Sequence, residues 1–165
     1  MLNTPDPALV ELLEAGTSSG VVCVLTPDGE PFATRTWGVA VRSRDPLTVH
    51  VLLSAGDLAA VGRRVGDDGT FPIAITCTDV PSLRGVQIKG SATALVAATE
   101  ADHARFEAYV DRFFDTIHHT DGYDPEALRR LAPVDLVAST IEVEELFDQT
   151  PGPQAGVAIV DGAAP

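Results

Sequence analysis

Arginine, tryptophan and histidine side chains at predicted strand and helix positions are the first candidates for chemistry in this sequence. Arg35 lies on a predicted strand, where a cation among apolar residues needs an anion. Arg35 is therefore expected either to bind a phosphate or carboxylate group of a ligand, or to form an ordinary salt bridge. Trp37 is expected either to lie in the core or at a dimer interface, or to offer an aromatic surface against which a planar ring can pack. His118 and His119 lie at the end of a predicted helix. They are expected either to cap its C-terminus or to act as metal ligands.

Other positions show which familiar chemistries the sequence lacks. His50 alternates with valines on a predicted strand and faces either solvent or a ligand cleft. Cys23 and Cys77 lie in separate apolar runs without Cys-x-x-Cys or zinc-type spacing, so they predict buried free thiols in a reducing compartment. The sequence has no Gly-x-Ser-x-Gly elbow, P-loop, His-Glu-x-x-His or dinucleotide fingerprint. The common motifs of nucleophilic, nucleotide-dependent and zinc catalysis are therefore missing.

Composition predicts one globular, cytoplasmic domain. The chain has 165 residues, 45% of them hydrophobic, which is enough for a core. A net charge of -13 excludes nucleic acid and anionic membranes as expected partners. Thirteen acids and four arginines lie between residues 100 and 148, on either a solvated face or a docking surface for a basic partner. No signal peptide or membrane span is recognisable.

Hydrophobic periodicity and turn residues predict an α+β chain with an antiparallel β-barrel and flanking helices. Thr4 and Pro5 predict the start of a first helix, which closes at Gly16. Thr99 predicts the cap of a later helix. Its apolar positions include Ala101, Ala104, Ala108, Phe113 and Ile117, with Phe106, Tyr109 and Val110 widening the stripe. The predicted strands are 20–26, 31–41, 47–53, 71–78, 83–97 with a bend at Gly90, and 134–147. The predicted later helices are 55–65, 100–117 and 125–131.

These elements form one predicted domain over residues 1–165. It divides into an N-terminal helix (1–18), a barrel core (19–98), helices with the final strand (99–149), and a Gly/Pro-rich tail (150–165). Two prolines and two glycines in 147–156 predict a defined loop. This loop is either a structural turn, covering the barrel or docking on a partner subunit, or part of a ligand site.

Residues 47–97 show the most specific pattern: a strand, a short helix, a strand, and a long strand whose residues 84–92 end in Gly-Ser-Ala. This order resembles the FMN-binding split β-barrel of the pyridoxamine 5′-phosphate oxidase family, and the resemblance covers about residues 20–97. It implies an FMN-binding homodimer that acts as an oxidoreductase on a small organic substrate. In such enzymes the flavin supplies the difficult step, so a missing acid–base motif does not count against this activity.

The resemblance also implies which residues hold the cofactor. It places the phosphate-binding arginine at Arg35, in the segment that continues with Thr36 and Trp37, and a small polar residue at Ser54. Asp57 and Leu58 stand where the family has a basic pair. The helix start at Gly56, with Arg63 or Arg64 reaching back, is expected to compensate, and Arg84 and Gln87 are expected near the flavin ring or the interface.

Two alternatives to an FMN-dependent enzyme remain. One, which the departure at Asp57 and Leu58 supports, is a split-barrel binding protein that has lost FMN and binds F420, haem or another ligand without flavin catalysis. Since some proteins of this fold bind haem through histidine, His118 or His119 would then be the iron ligand. The other alternative is an interaction protein that uses its acidic C-terminal half.

Overall fold

A computed structural model describes residues 7–159 of the chain. Four helices and seven strands occur in this range. The helices are α1 (Pro7–Glu14), α2 (Ala55–Val61), α3 (Glu100–Asp121) and α4 (Pro125–Arg129). The strands are β1 (Ser18–Leu25), β2 (Pro31–Arg44), β3 (Leu47–Ser54), β4 (Phe71–Asp79), β5 (Gly85–Ala92), β6 (Val96–Ala97) and β7 (Leu136–Asp148). The predicted helix start at Thr4 and Pro5 lies outside the described residues.

Six of the strands close into an antiparallel barrel. The sheet order is β3-β2-β1-β4-β5-β7-β6, and β3 also pairs with β7, which joins the two sides of the sheet. The short strand β6 adds to β7 beside the closed ring. Closure leaves the ring without free strand edges. The predicted α+β fold, an antiparallel split barrel with flanking helices, is confirmed.

Alternating side chains fill the barrel interior. On β4, the buried residues Phe71, Ile73, Ile75 and Cys77 alternate with more exposed ones, as a strand with one buried face requires. Leu12 and Leu13 of α1 join the same apolar cluster, so this helix packs against the barrel core.

A second apolar cluster lies outside the barrel, where α3 packs on β2 and β3. Trp37 and Leu52 contribute from the strands, and Phe106, Val110 and Phe113 from the helix. The predicted apolar stripe of α3 is right for Phe106, Val110 and Phe113, which are buried, and wrong for Ala101, Ala104 and Ala108, which are exposed. Large aromatic side chains bury more apolar area than alanines, so they decide which face of the helix docks.

Several element ends differ from the sequence prediction. The helix over 100–117 continues to Asp121 and ends at Gly122, whose φ of 75° is left-handed. The short helix predicted to residue 65 ends at Val61. The predicted strand over 83–97 is two strands, β5 and β6. Strand β2 runs on to Arg44 and leaves only Asp45 and Pro46 for the turn. The predicted cap at Thr99 is confirmed, and it forms a capping box with Asp102.

The bend predicted at Gly90 coincides with a register shift between β5 and β7. Lys89 pairs with Glu145 but Gly90 pairs with Val143, so Glu144 is the extra residue. No helix in residues 7–159 has both the length and the apolarity needed to span a membrane.

The two cysteines are free thiols in different environments. Cys77 is buried in the barrel, and this burial raises its thiol pKa to about 12, whereas Cys23 is only half-buried. We therefore expect a thiol reagent to modify native Cys23 well before Cys77, since the thiolate is the reactive form. Modification kinetics of a Cys23→Ser and a Cys77→Ser variant measure this, with denatured protein as the control. Equal native rates would contradict it.

Candidate functional site

The outer surface of β2 and β3, partly covered by α3, holds several of the residues singled out in the sequence. Thr36 pairs with Leu53, and both are buried on the barrel side. Trp37 and Leu52 lie on the outer side with α3, and Trp37 is only 5% exposed. Trp37 therefore packs as a helix–sheet contact, with its ring 6.0 Å from that of Phe106.

Arg35 lies on this outer surface beneath an aromatic residue of α3. The centre of its guanidinium is 4.4 Å from the Phe113 ring and 5.5 Å from the Trp37 ring, within cation–π range. Its Nε and Nη2 atoms are buried and have no hydrogen-bond partner within residues 7–159. A buried donor without an acceptor is costly, more so when it is charged. Arg35 is thus held by aromatic rings while two of its donors remain available to an anion.

Ser54 is brought next to Arg35 by strand register. Because Thr36 pairs with Leu53 in an antiparallel ladder, the next positions along, Arg35 and Ser54, come opposite each other on one face. Ser54 is buried and caps α2 by accepting a hydrogen bond from the Asp57 backbone N–H at 3.3 Å. Its own hydroxyl proton has no acceptor among the hydrogen bonds of the described residues, so it can be donated.

Asp57, the acid at the expected basic position, bonds a different residue of β2 than Arg35. Its carboxylate accepts a hydrogen bond of 2.5 Å from the Thr34 hydroxyl. Successive strand residues point to opposite faces, so Thr34 and Arg35 project from opposite sides of β2. The carboxylate therefore opposes an anion at Arg35 less than the sequence alone suggests.

The remaining glycine and arginine candidates lie further apart. Gly56 is exposed, and a Cβ added there would meet only the Ser54 Oγ, at 3.8 Å. The centre of the Arg63 guanidinium lies 5.0 Å from the ring of Phe71, which is the first residue of β4. The Arg84 carbonyl accepts from the backbone of Asp79, the last residue of β4. The nine residues of β4 span about 26 Å, so Arg63 and Arg84 do not meet in one chain.

Arg64 and Gln87 also lie away from Arg35. Arg64 is exposed, and its backbone N–H donates to the Leu25 carbonyl at the end of β1. Gln87 donates to the Thr76 hydroxyl on β4. In the ring of six strands, β5 lies three strands from β2 in either direction. The outward-facing side chain of Gln87 therefore lies on the opposite side of the barrel from that of Arg35. A second copy of the chain would be required to place Gln87 and Arg35 in one site.

A cleft of about 480 Å³ opens on the same outer surface of β2 and β3, between the end of α1 and α3. We call it the arginine cleft, since its walls include Arg42 of β2 together with Arg105 and Arg112 of α3. His50 of β3 also lines it, so this histidine faces the cleft. The spacing of seven between Arg105 and Arg112 places both on one helix face, and this is the signal that the sequence offered.

Asp102 anchors the basic groups at one side of the arginine cleft. It is 2% exposed, and its Oδ1 accepts from His50 Nε2 at 2.9 Å and from Arg105 Nη1 at 3.3 Å. Arg42 Nη2 lies 3.8 Å from the same oxygen. Burial alone would raise the pKa of this carboxyl, but hydrogen bonds from Thr99 and His50 outweigh it and lower the pKa from 3.8 to about 2.

Backbone contacts connect the cleft walls to the barrel. Arg112 donates to the Ala15 carbonyl at 2.7 Å, and Glu14 accepts from the Val41 N–H at 2.8 Å. Tyr109 lines the cleft, stacks on Phe113 and donates to the Ser18 carbonyl at 3.0 Å. Burial raises the pKa of Tyr109, and the nearby Arg35 opposes this shift. Tyr109 therefore lies between the cleft and Arg35.

The two histidines at the end of α3 are exposed and bonded to carbonyl oxygens. His118 Nδ1 donates to the Tyr123 carbonyl at 2.8 Å, and His119 Nδ1 donates to the Asp115 carbonyl at 2.7 Å. Within residues 7–159, no group of three or more His, Cys, Asp or Glu side chains is arranged to hold a metal ion.

Solved structures match most of the chain. HupZ from Group A Streptococcus aligns with a TM-score of 0.52 and 16% identity, over 92% of this chain and 99% of that one. An F420 reductase aligns with a TM-score of 0.47 and 15% identity, over 86% and 97%. A pyridoxamine 5′-phosphate oxidase-related, FMN-binding protein from Nostoc punctiforme has a TM-score of 0.45 and 10% identity, over 92% and 88%.

No protein-family model and no curated protein matches the sequence. The likeness to HupZ agrees with the closed antiparallel ring of strands. The resemblance to split β-barrel proteins is therefore confirmed at the level of the fold.

Proposed function

We propose that this split-barrel protein binds FMN through Arg35 and Ser54 and acts as an oxidoreductase on a small organic substrate. The observation that carries the proposal is the Arg35 guanidinium, two of whose nitrogens are buried without an acceptor among the described residues. Ser54 follows Leu53, the strand partner of Arg35's neighbour Thr36. A phosphate group offers several strong acceptor oxygens to such a donor set. When bound, FMN supplies the redox chemistry, and the protein supplies binding and orientation.

The residues present fit a phosphate group at this place. Phe113 and Trp37 hold the Arg35 guanidinium on the outer surface of β2. The Ser54 hydroxyl can donate to a phosphate oxygen while it still caps α2. Gly56 leaves the neighbouring backbone open to a ligand, and Asp57 is held by Thr34 on the opposite side of β2. Each of these features favours an anion beside Arg35.

A homodimer belongs to the same proposal. Gln87 lies on the opposite side of the barrel from Arg35 in one chain, so a shared flavin site would take it from a second copy. Large apolar side chains near α4 also remain exposed, Val134 at 90% and Leu131 at 69%, as is typical of association surfaces. The mass of the protein in solution measures this directly. A cytoplasmic location stays a prediction.

A second candidate function is a split-barrel binding protein that has lost FMN. Its support is the position of the expected basic pair, where Asp57 bonds Thr34 and Leu58 is buried in the barrel core. No cation from these two positions can reach a phosphate. F420, haem or another small ligand would then occupy the protein without flavin catalysis.

We expect Arg35→Gln to weaken FMN binding about tenfold or more, because the phosphate loses a charged, partly buried donor. The absorption spectrum of the desalted protein and FMN titration measure this. Arg130→Gln, at an exposed arginine that caps the C-terminus of α4, is the matched control and should leave the affinity unchanged.

An unchanged affinity in Arg35→Gln would remove Arg35 from the site. A flavin spectrum after desalting would support the FMN proposal, and a Soret band would support haem instead. A colourless protein whose melting temperature does not shift with FMN, F420 or haem would reject all three cofactors.

A further inference from the structure

We infer that the arginine cleft is a separate ligand site, and that it binds a small organic carboxylate with an apolar body. The inference does not depend on FMN, since Arg35 does not line this cleft. Three arginines from two different elements converge here, in a chain that has only 11 lysines and arginines and a net charge of -13. Such a concentration of positive charge in a concave surface attracts an anion.

The charges in the cleft leave a positive excess. Arg42, Arg105 and Arg112 face two carboxylates, Glu14 and Asp102. Both carboxylates are already engaged, Asp102 by the basic groups around it and Glu14 by a backbone N–H. One cation is therefore unmatched, and a single negative charge balances it. A carboxylate has this charge at neutral pH, whereas a phosphate monoester has nearly two.

Asp102 orients the donors before a ligand arrives. Arg105 approaches its Oδ1 through Nη1 and Arg42 through Nη2, so each uses a single nitrogen and keeps other N–H groups free. The two side chains are 46% and 43% exposed, so these free groups are accessible. A carboxylate fits the planar fork of an arginine with two parallel hydrogen bonds. The buried acid thus holds the arginines in place for a second, external carboxylate.

Apolar side chains supply the rest of the cleft surface. Ala40 of β2, Leu52 of β3 and Ala108 of α3 line it, so apolar groups come from both strands and from the helix. Its volume of about 480 Å³ lies within the range of small-molecule pockets, about 300–1,000 Å³. Because polar groups are concentrated around Arg42 and Arg105, the expected ligand has a charged end and an apolar remainder.

Hexanoate is a suitable probe, with 1-hexanol and hexylamine as its uncharged and cationic counterparts. We expect hexanoate to bind more tightly than both in calorimetric titration. Arg105→Gln and Arg42→Gln should each weaken hexanoate about tenfold, while Arg130→Gln should not. These two arginines lie on different elements and are partly exposed, so a folding defect in one variant leaves the other as a test. Melting temperatures identify such a defect.

Two results would overturn the inference. Hexanol binding as tightly as hexanoate would mean that the cleft recognises only apolar surface. No hexanoate binding, or equal binding in the wild type and in a folded Arg105→Gln or Arg42→Gln variant, would remove these arginines from any carboxylate site.

The FMN proposal fails or holds independently of this result. Arg35→Gln should keep hexanoate affinity and lose FMN affinity, and Arg105→Gln should do the reverse. Loss of both affinities in both variants would mean one shared site and would contradict a separate carboxylate site in the cleft.

Discussion

Gly90→Ala is expected to destabilise the barrel by about 3 kcal/mol or more, a large part of the roughly 5–15 kcal/mol by which a domain is ordinarily stable. A Cβ built at Gly90 would lie 2.0 Å from the Glu142 carbonyl oxygen and 3.0 Å from its carbon. Both atoms are backbone, so no side chain can move aside. Relief requires β5 and β7 to separate at the register shift, and these strands help to close the ring.

Gly56→Ala is the matched control. Its added Cβ meets only the Ser54 Oγ at 3.8 Å, and α2 is a helix, where alanine is favoured over glycine by about 0.5–1 kcal/mol. Urea unfolding of both variants measures the difference. A Gly90→Ala protein as stable as Gly56→Ala would show that β5 and β7 do not approach as closely as described.

Asp102→Ala is expected to lower the free energy of unfolding by about 3 kcal/mol. Asp102 is buried, completes the capping box of α3 with Thr99, accepts a hydrogen bond from His50 and neutralises part of the charge of Arg42 and Arg105. Removing it leaves the helix start and His50 without their side-chain acceptor, and two arginines without their anion. Glu107→Ala, an exposed acid on the same helix, is the control and should change stability much less.

Because of the same carboxyl group, the stability of the wild-type protein is expected to fall in acid. Its pKa is depressed in the folded state, from 3.8 to about 2, so its stabilising contribution is complete above the unfolded value. As pH falls from about 4 towards 2, up to about 2 kcal/mol of that contribution is lost. Unfolding free energies over this range should fall more steeply for the wild type than for Asp102→Asn. Parallel profiles would contradict the role of Asp102.

Strong local patterns made much of the fold predictable from the sequence. Alternating residues on β4, the Thr99 cap and the Gly90 bend each depend on neighbours close in the chain. The stripe predicted for α3 was only partly right, since Ala104 and Phe106 both fit a helical stripe and only docking on Trp37 and Leu52 decides that Phe106 is the one buried.

The sequence by itself determined the order of strands and helices, the antiparallel barrel and the excess of acidic residues, because periodicity, caps and turns are local properties. Only the tertiary structure decided that Ser54 stands opposite Arg35, that Asp57 lies on the far side of β2, and that Arg42 and Arg105 meet around Asp102. Strand register and helix docking bring residues together that are far apart in the chain. The candidate sites are therefore visible only after the barrel has closed and α3 has packed against it.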